Sequence, residues 1–406
     1  MKLAVSLTLA SLALAASDDL RDLPITRTST HLYLNGTEWK AVGPNVYWIA
    51  LDENVVPPEG EPFYAPKKIS YPQPDRVTEV MRIVKALGGT MIRAHTLGSN
   101  TGSPLSLMPE AGVINDEAWE SIDWAIYQAR EHGIRLMVPL VDNYDYYHGG
   151  KFDFLRWAGH DLSQAKDSRN PAMMAFYDDP TIVASFKSYV TTLLTHLNPL
   201  TNLTLAEDPT IFAIESGNEL LGPEWGDMNC PAHWVREIAR HVKDLAPEKL
   251  FVDGTYGVNV THFEVDEVDI FSDHFYPVDV GKLKGDIAKL EAADRPLFVG
   301  EYGWVGGNDP GAGGDPLPEF FKVIEESDSV IGDTFWSLFG RNFPDCNDWV
   351  EHDDGFTMKY GDPTNSELTN SRIKLIRKHF TKMSRGEDIS IDEDLPTIPC
   401  PLEELD

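Results

Sequence analysis

The sequence predicts an α/β fold, a single (β/α)8 barrel with long loops on one face. Three observations carry this expectation. Eight strand-like apolar runs occur, and all but the fifth are followed by an amphipathic helical stretch, the pattern of parallel strands joined by helical crossovers. Long polar and aromatic loops follow the strand-like runs, as they do on the face of a barrel that carries its site. No Gly/Ser linker, low-complexity block or internal repeat divides the 406 residues, so one domain is the simpler reading.

Taken in order, the chain opens with Lys2, an apolar run over residues 3–14, and small residues before Ser17-Asp18-Asp19. That is the form of a secretory signal peptide over residues 1–16, too short to span a bilayer. The strand-like run 40–47 leads to a helix over 75–87, 90–95 to 116–132, and 134–141, after a long loop, to 179–197. The series continues with 210–218 then 231–245, 250–254 with a weak or missing helix, and 268–275 then 280–292. It closes with 297–300 then 317–327, and 330–338 then 366–379. No Gly-x-Gly-x-x-Gly follows any strand, which speaks against a dinucleotide-binding sheet. The catalytic domain is thus expected over 17–383, and the acidic stretch 384–406 reads as a solvated or loosely docked extension.

Formal net charge is −31, whereas nucleic acids and anionic membranes both require a basic footprint. An acidic surface suits an acidic medium, where protonation relieves self-repulsion. Three cysteines, Cys230, Cys346 and Cys400, allow one disulfide with one thiol left over, and the pairing is open. Sequons at Asn35, Asn202 and Asn259 agree with an extracellular, secreted protein. A monomer is the expectation for such a barrel. No His-Glu-x-x-His or Cys/His cluster appears, and the spacing of Asp142, Asp145 and Asp153 lacks the regularity of a calcium loop, so no metal or cofactor is expected.

The chemistry concentrates in two segments, Ile211 to Glu219 and Pro296 to Glu301, each an apolar strand running into a glutamate. A charge buried at a strand end is costly without partners, and two of them on one barrel face suit glycosidic bond cleavage, which uses one carboxylic acid and one carboxylate. Asn218 and Glu219 are neighbours, so both can face the mouth only with a bend, for which Gly217 is suited.

Arg93, Asn218-Glu219, His274-Phe-Tyr276, Glu301 and Trp336, at five separate strand ends, resemble the active-site set of glycoside hydrolase family 5. The resemblance covers nearly the whole mature chain. It implies retaining hydrolysis with Glu219 as acid/base and Glu301 as nucleophile. It further implies that Arg93 and Tyr276 orient Glu301, Asn218 grips the sugar 2-hydroxyl, His274 lies near Glu219, and Trp336 floors the central subsite. The loop Asp142-Asn-Tyr-Asp-Tyr-Tyr-His-Gly-Gly150 is similar to that of fungal-type β-mannanases, so a polysaccharide or oligosaccharide substrate and endo-β-1,4-mannanase activity are expected. Leu220-Leu221-Gly222 departs from the Pro-Arg that usually follows this Asn-Glu pair, which bears on the subsites. Alternatives with the same chemistry are an exo-β-mannosidase, a β-glucanase or a transglycosylase, and, from another class, a silent carbohydrate-binding barrel. Trp48, Tyr144, Tyr146, Tyr147, Trp157, Trp225, Trp304 and Trp349 are expected in loops as sugar platforms or packing residues, whereas His95, His132, His148 and His160 receive no role.

Overall fold

A computed structural model describes residues 19–53, 69–163, 171–221, 230–305 and 315–400, except 345, 351 and 353. The expected signal peptide, Trp225 and the last acidic residues of the tail lie outside the described residues.

Eight parallel strands form the central sheet: β1 (Ala41–Pro44), β2 (Met91–Arg93), β3 (Arg135–Pro139), β4 (Ile211–Glu215), β5 (Leu250–Asp253), β6 (Ile270–Phe275), β7 (Leu297–Tyr302) and β8 (Val330–Phe335). They pair in chain order from β2 to β8, β8 pairs with β1, and the ring closes where the Val46 N–H donates to the Arg93 carbonyl at 3.0 Å. Closure leaves the barrel sheet, among the described residues, without an edge strand. Helices cover the outside, including Pro74–Ala86, Ala118–Glu131, Pro180–Thr195, Ala232–Leu245, Val280–Glu291, Leu317–Glu326 and Glu367–Arg385. Their starts follow capping chemistry: Asp179 accepts from the Thr181 amide at 2.7 Å ahead of Pro180, and Ser366 accepts from the Thr369 amide at 3.0 Å. After β5 only the 3-10 turn Val260–Glu264 appears, where the sequence shows weak helical periodicity.

Side chains alternate between barrel interior and helix-facing exterior. Ala41, Met91, Met137, Ala213, Val252, Ile270, Phe298 and Ile331 form an inner cluster distinct from the large outer core that takes in Val42, Ile92, Val138, Phe251, Phe271, Val299 and Val330. Period-2 geometry then dictates that Arg93, two residues beyond Met91, also enters the interior, nearer the mouth. An antiparallel sheet of Ile25–Thr28, His31–Leu34 and Thr37–Trp39, which period-2 reading of the sequence missed, closes the opposite end. Its Ile25 and Leu32 join the inner cluster, and Trp39 packs edge-on against Phe212 at 5.1 Å.

Several sequence expectations need correction. Trp48, Tyr147 and Trp304, expected in exposed loops, are buried; Trp48 donates its indole N–H to the Leu338 carbonyl at 3.0 Å. The loop after β3 contains a helix, Lys151–Trp157. The tail is firmly docked: Tyr360 donates to the Pro396 carbonyl at 2.8 Å, Arg341 to the carbonyls of Ile398 and Pro399 at 3.1 and 3.2 Å, and Leu395 and Ile398 pack on the core. Cys346 and Cys400 form the disulfide, with buried Cys230 left free. Asp145 and Asp153 pair with Arg156, which accounts for those acidic side chains without a cation.

Candidate active site

Arg93 is fully buried at the end of β2, a position tenable only with charge partners. Its Nε donates to Glu215 at 2.7 Å, Nη1 to Glu301 Oε1 at 2.6 Å and Asn45 at 3.1 Å, and Nη2 to Asn218 at 3.1 Å. His95 Nε2 accepts a further bond from Nη1 at 2.8 Å. One guanidinium fork thereby fixes the ends of β1, β2, β4 and β7 relative to each other.

Glu301 lies within β7, and its second oxygen, Oε2, accepts from the Tyr276 hydroxyl at 3.0 Å. Glu219 lies four residues beyond the end of β4, which is shorter than the sequence suggested. Its Oε1 is 2.7 Å from His274 Nδ1, and its Oε2 accepts from the Tyr144 hydroxyl. The pairing register of β6 with β7 shifts between Asp273 and His274, setting His274 opposite Glu301.

The bend that turns both Asn218 and Glu219 into the mouth is made by Glu219, whose φ of 50° lies in the left-handed region. Such a conformation is strained for a non-glycine residue and is kept here by its surroundings. Gly217 contributes close packing instead: a Cβ there would stand 2.7 Å from the Val141 carbonyl oxygen, and one on Gly254 would meet the Gly217 oxygen at 1.8 Å.

One oxygen each of Glu219 and Glu301 and a ring nitrogen of His274 lie within 4.8 Å of one another. Burial pushes Glu301 up, against the charges of His274 and Arg93, and it stays above its ordinary range. Burial also pushes Glu219 up, but the hydrogen bond and charge of His274, then Tyr144 and Arg93, outweigh it and hold Glu219 low. His274 is raised: burial lowers it, and Glu301 and Glu219 overcome that. The three groups therefore titrate as one unit, and their roles follow from their contacts. Glu301 faces Arg93, a permanent cation, whereas Glu219 faces His274, whose charge can change with the proton.

A cavity of about 660 Å³ opens over these groups. Trp336, following β8, borders it, stacked on Tyr47 at 5.0 Å with rings 8° apart and held by its indole N–H to Asp354 at 2.7 Å. The structure thus brings together all seven site residues expected from the sequence.

Sequence reading missed others. His95 and His148, given no role, line the cavity with Asp142. Burial depresses His95 and takes His148 to about 3, so both rings are neutral, and burial pushes the Asp142 carboxyl up to about 7. Asp142 accepts from Asn218 Nδ2 at 3.2 Å and fixes that amide. His95, Asp142 and His148 also bring ligand atoms within 4.8 Å, but Arg93 donates to His95 at 2.8 Å and opposes a cation there. Glu215 was hidden inside an apolar strand. Its one signal was parity, since it lies two residues beyond inward-facing Ala213.

A barrel of this kind with facing carboxylates at the ends of β4 and β7 defines the class of (β/α)8 glycoside hydrolases. The chain belongs to glycoside hydrolase family 5: residues 68–287 match the β-mannosidase-like family within it. It is similar to mannan endo-1,4-beta-mannosidase 2 of Oryza sativa subsp. japonica, 31% identical over 67% of this chain and 55% of the relative. Mannan endo-1,4-beta-mannosidase 1 of the same plant is 24% identical over 88% of both chains. A further rice relative is matched over 36% of its own length. Among solved structures, the endo-beta-1,4-mannanase of Thermotoga petrophila superposes with a TM-score of 0.65 at 21% identity, covering 88% of this chain and 79% of that one, a likeness of fold.

Proposed function

We propose that this chain is a secreted, retaining endo-β-1,4-mannanase. The observation that carries the chemistry is the approach of Glu219 and Glu301 within 4.8 Å, which suits a retaining pair at about 5–5.5 Å and is too close for the water of an inverting mechanism at about 6.5–9.5 Å. The substrate rests on the mannan endo-1,4-beta-mannosidases among its relatives. Secretion is supported by the leader-like N-terminus and by a disulfide, and among the described residues no helix is long and apolar enough to cross a membrane.

In the first step a Glu301 oxygen attacks the anomeric carbon while Glu219 delivers its proton to the departing glycosidic oxygen, leaving a glycosyl ester on Glu301. Arg93 and Tyr276 hold the attacking carboxylate in one orientation, so little reorganisation accompanies the attack. In the second step Glu219, now ionised, takes a proton from water as the oxygen attacks the same carbon and frees Glu301. His274 and Tyr144 keep Glu219 positioned in both protonation states. Asn218, anchored by Arg93 and Asp142, is poised to bond the 2-hydroxyl, and Trp336 offers a broad apolar face to the sugar ring.

The test is a panel of β-mannan, galactomannan, cellulose and β-glucans with products read by size. Oligosaccharides from mannan support the proposal; single sugars point to exo action, and no cleavage of any polymer would favour a silent barrel. Glu219→Gln and Glu301→Gln are each expected to lower turnover by on the order of a thousandfold with the fold intact by circular dichroism. On an activated aryl mannoside, azide added to Glu219→Gly should give the β-glycosyl azide, and added to Glu301→Gly the α-anomer. The reverse pattern would exchange the two roles.

A further inference from the structure

Glu215, the last residue of β4, is fully buried and so touches no substrate. Its carboxylate accepts from Arg93 Nε at 2.7 Å, while Nη1 of the same guanidinium donates to Glu301 at 2.6 Å. We propose that Glu215 is a positioning residue for the reaction at Glu301: it is the permanent counter-ion of Arg93, dividing that cation's charge with Glu301 and keeping it compensated while Glu301 is esterified. The proposal rests on the glycosidase reading of Glu219 and Glu301.

The carboxylate is aimed at one target. Among the described residues Arg93 donates to Oε2 of Glu215, and Oε1 meets no hydrogen-bond donor. The side chain is also held at its stem: a Cβ on Gly254 would stand 2.8 Å from Glu215 Cγ, and the backbone is paired on both sides, with Pro139 on β3 and Val252 on β5. Two carboxylates, one sealed in the barrel and one bordering the cavity, therefore grip a single guanidinium.

The movement of charge during the reaction gives the reason for two. In the first step a bond forms between a Glu301 oxygen and the anomeric carbon, the bond from that carbon to the glycosidic oxygen breaks, and the Glu219 proton goes to the departing oxygen. Glu301 becomes a neutral ester and the negative charge moves to Glu219, which faces His274. Arg93 stays protonated and buried, and a buried cation left without a partner is strongly disfavoured. Glu215 stands beside it unchanged. The same sharing acts before the attack: an undivided guanidinium would favour the charged form of Glu301 more strongly and leave its oxygens less basic. Glu301 is also faced by His274 at 3.6 Å and Tyr276 from β6, by His95 at 3.7 Å after β2, and by Glu219 after β4. Asp142 and Tyr144 of the loop after β3 lie within its field. A substitution at Glu215 leaves all of these groups in place.

The test uses the full chain. Glu215→Gln keeps the shape and removes the charge, so the whole field of Arg93 falls on Glu301. The acid limb of the kcat/KM profile on an aryl β-mannobioside is expected to move to lower pH by about one pH unit, with kcat lowered about tenfold. A residue that only braced Arg93 would give the opposite sign, because a loosened guanidinium releases Glu301 and the limb moves up. Glu215→Asp keeps the charge one methylene farther from Arg93; it should fold even where Glu215→Gln does not, and should move the limb the same way by less. A limb that moves to higher pH, or stays where it is, in whichever variant folds would overturn the proposal. The carboxyl carbon-13 titration of Glu301 in the ligand-free protein, assigned by its loss in Glu301→Gln, reads the same displacement without turnover. If its midpoint moves to lower pH in Glu215→Gln while the wild type cleaves no mannoside, the charge sharing stands and the glycosidase reading fails.

Discussion

Glu219 and Glu301 differ less in burial than in the kind of partner each accepts from. The Arg93 contact to Glu301 cannot be titrated away, whereas Glu219 is held low by His274, and by a tyrosine hydroxyl whose loss can be measured. Tyr144 bonds the charged form of Glu219, so Tyr144→Phe should raise that group's pKa. The alkaline limb of the kcat/KM profile, where the acid form is lost, is expected to move to higher pH by less than about one unit. A shift to lower pH would contradict the assignment of Tyr144. At this scale the sequence was legible where a polar residue ends an apolar run, as with Arg93, Glu301 and His274. It was illegible for Tyr144, which reads as one aromatic among three in its loop, and for His95 and His148, whose neutral state is created by burial among residues distant in sequence.

Among the strands, the seam between β4 and β5 is the tightest constraint on Glu219, the proposed acid/base. Gly217 and Gly254 allow two chains to approach until a Cβ on Gly254 would stand 1.8 Å from the Gly217 oxygen. Backbone cannot yield as a side chain does, so Gly254→Ala should push the two strand ends apart. A loss of about 2–3 kcal/mol or more, read by urea unfolding, is expected together with a fall in kcat, because Glu219 sits two residues beyond Gly217. A neutral outcome would show that the seam relaxes without cost. All eight strands and the helices that cover them announce themselves by apolar periodicity and length. The N-terminal sheet did not, since its strands are three or four residues long and bury few side chains. Likewise the bend at Glu219 carries no glycine to mark it.

For the molecule as a whole, acidity and one buried imidazole act in the same direction. His379, stacked on Phe321 at 4.1 Å, bonds Asp333 at 2.9 Å and Glu325 at 2.8 Å. Burial would lower its pKa, but Asp333 and then Glu325 prevail and raise it to about 9. A cation whose folded pKa exceeds its unfolded value of about 6.5 stabilises fully below that value. The contribution, on the order of 3 kcal/mol, should fade as pH rises from about 6.5 to about 9. Thermal unfolding temperature is thus expected to fall across that window in the wild type and to fall less in His379→Gln. A net charge of −31 adds self-repulsion in the same range. The docked tail also belongs to this scale. Its acidic composition reads as solvated, yet Lys378 and Arg377 on the last helix take up Asp388 and Glu393, contacts set by three-dimensional placement. Cys400→Ser is expected to lower stability by about 2–4 kcal/mol, since the bridge closes a span of 54 residues.

That bridge joins the segment after β8, which brings Asp354 and Phe356 to the cavity, to the far end of the chain. Production in a reducing bacterial cytosol would deliver both thiols open. Such a preparation would be expected to bind sugar more weakly than one exported through an oxidising compartment, and the choice of expression host becomes a variable of every assay on this protein.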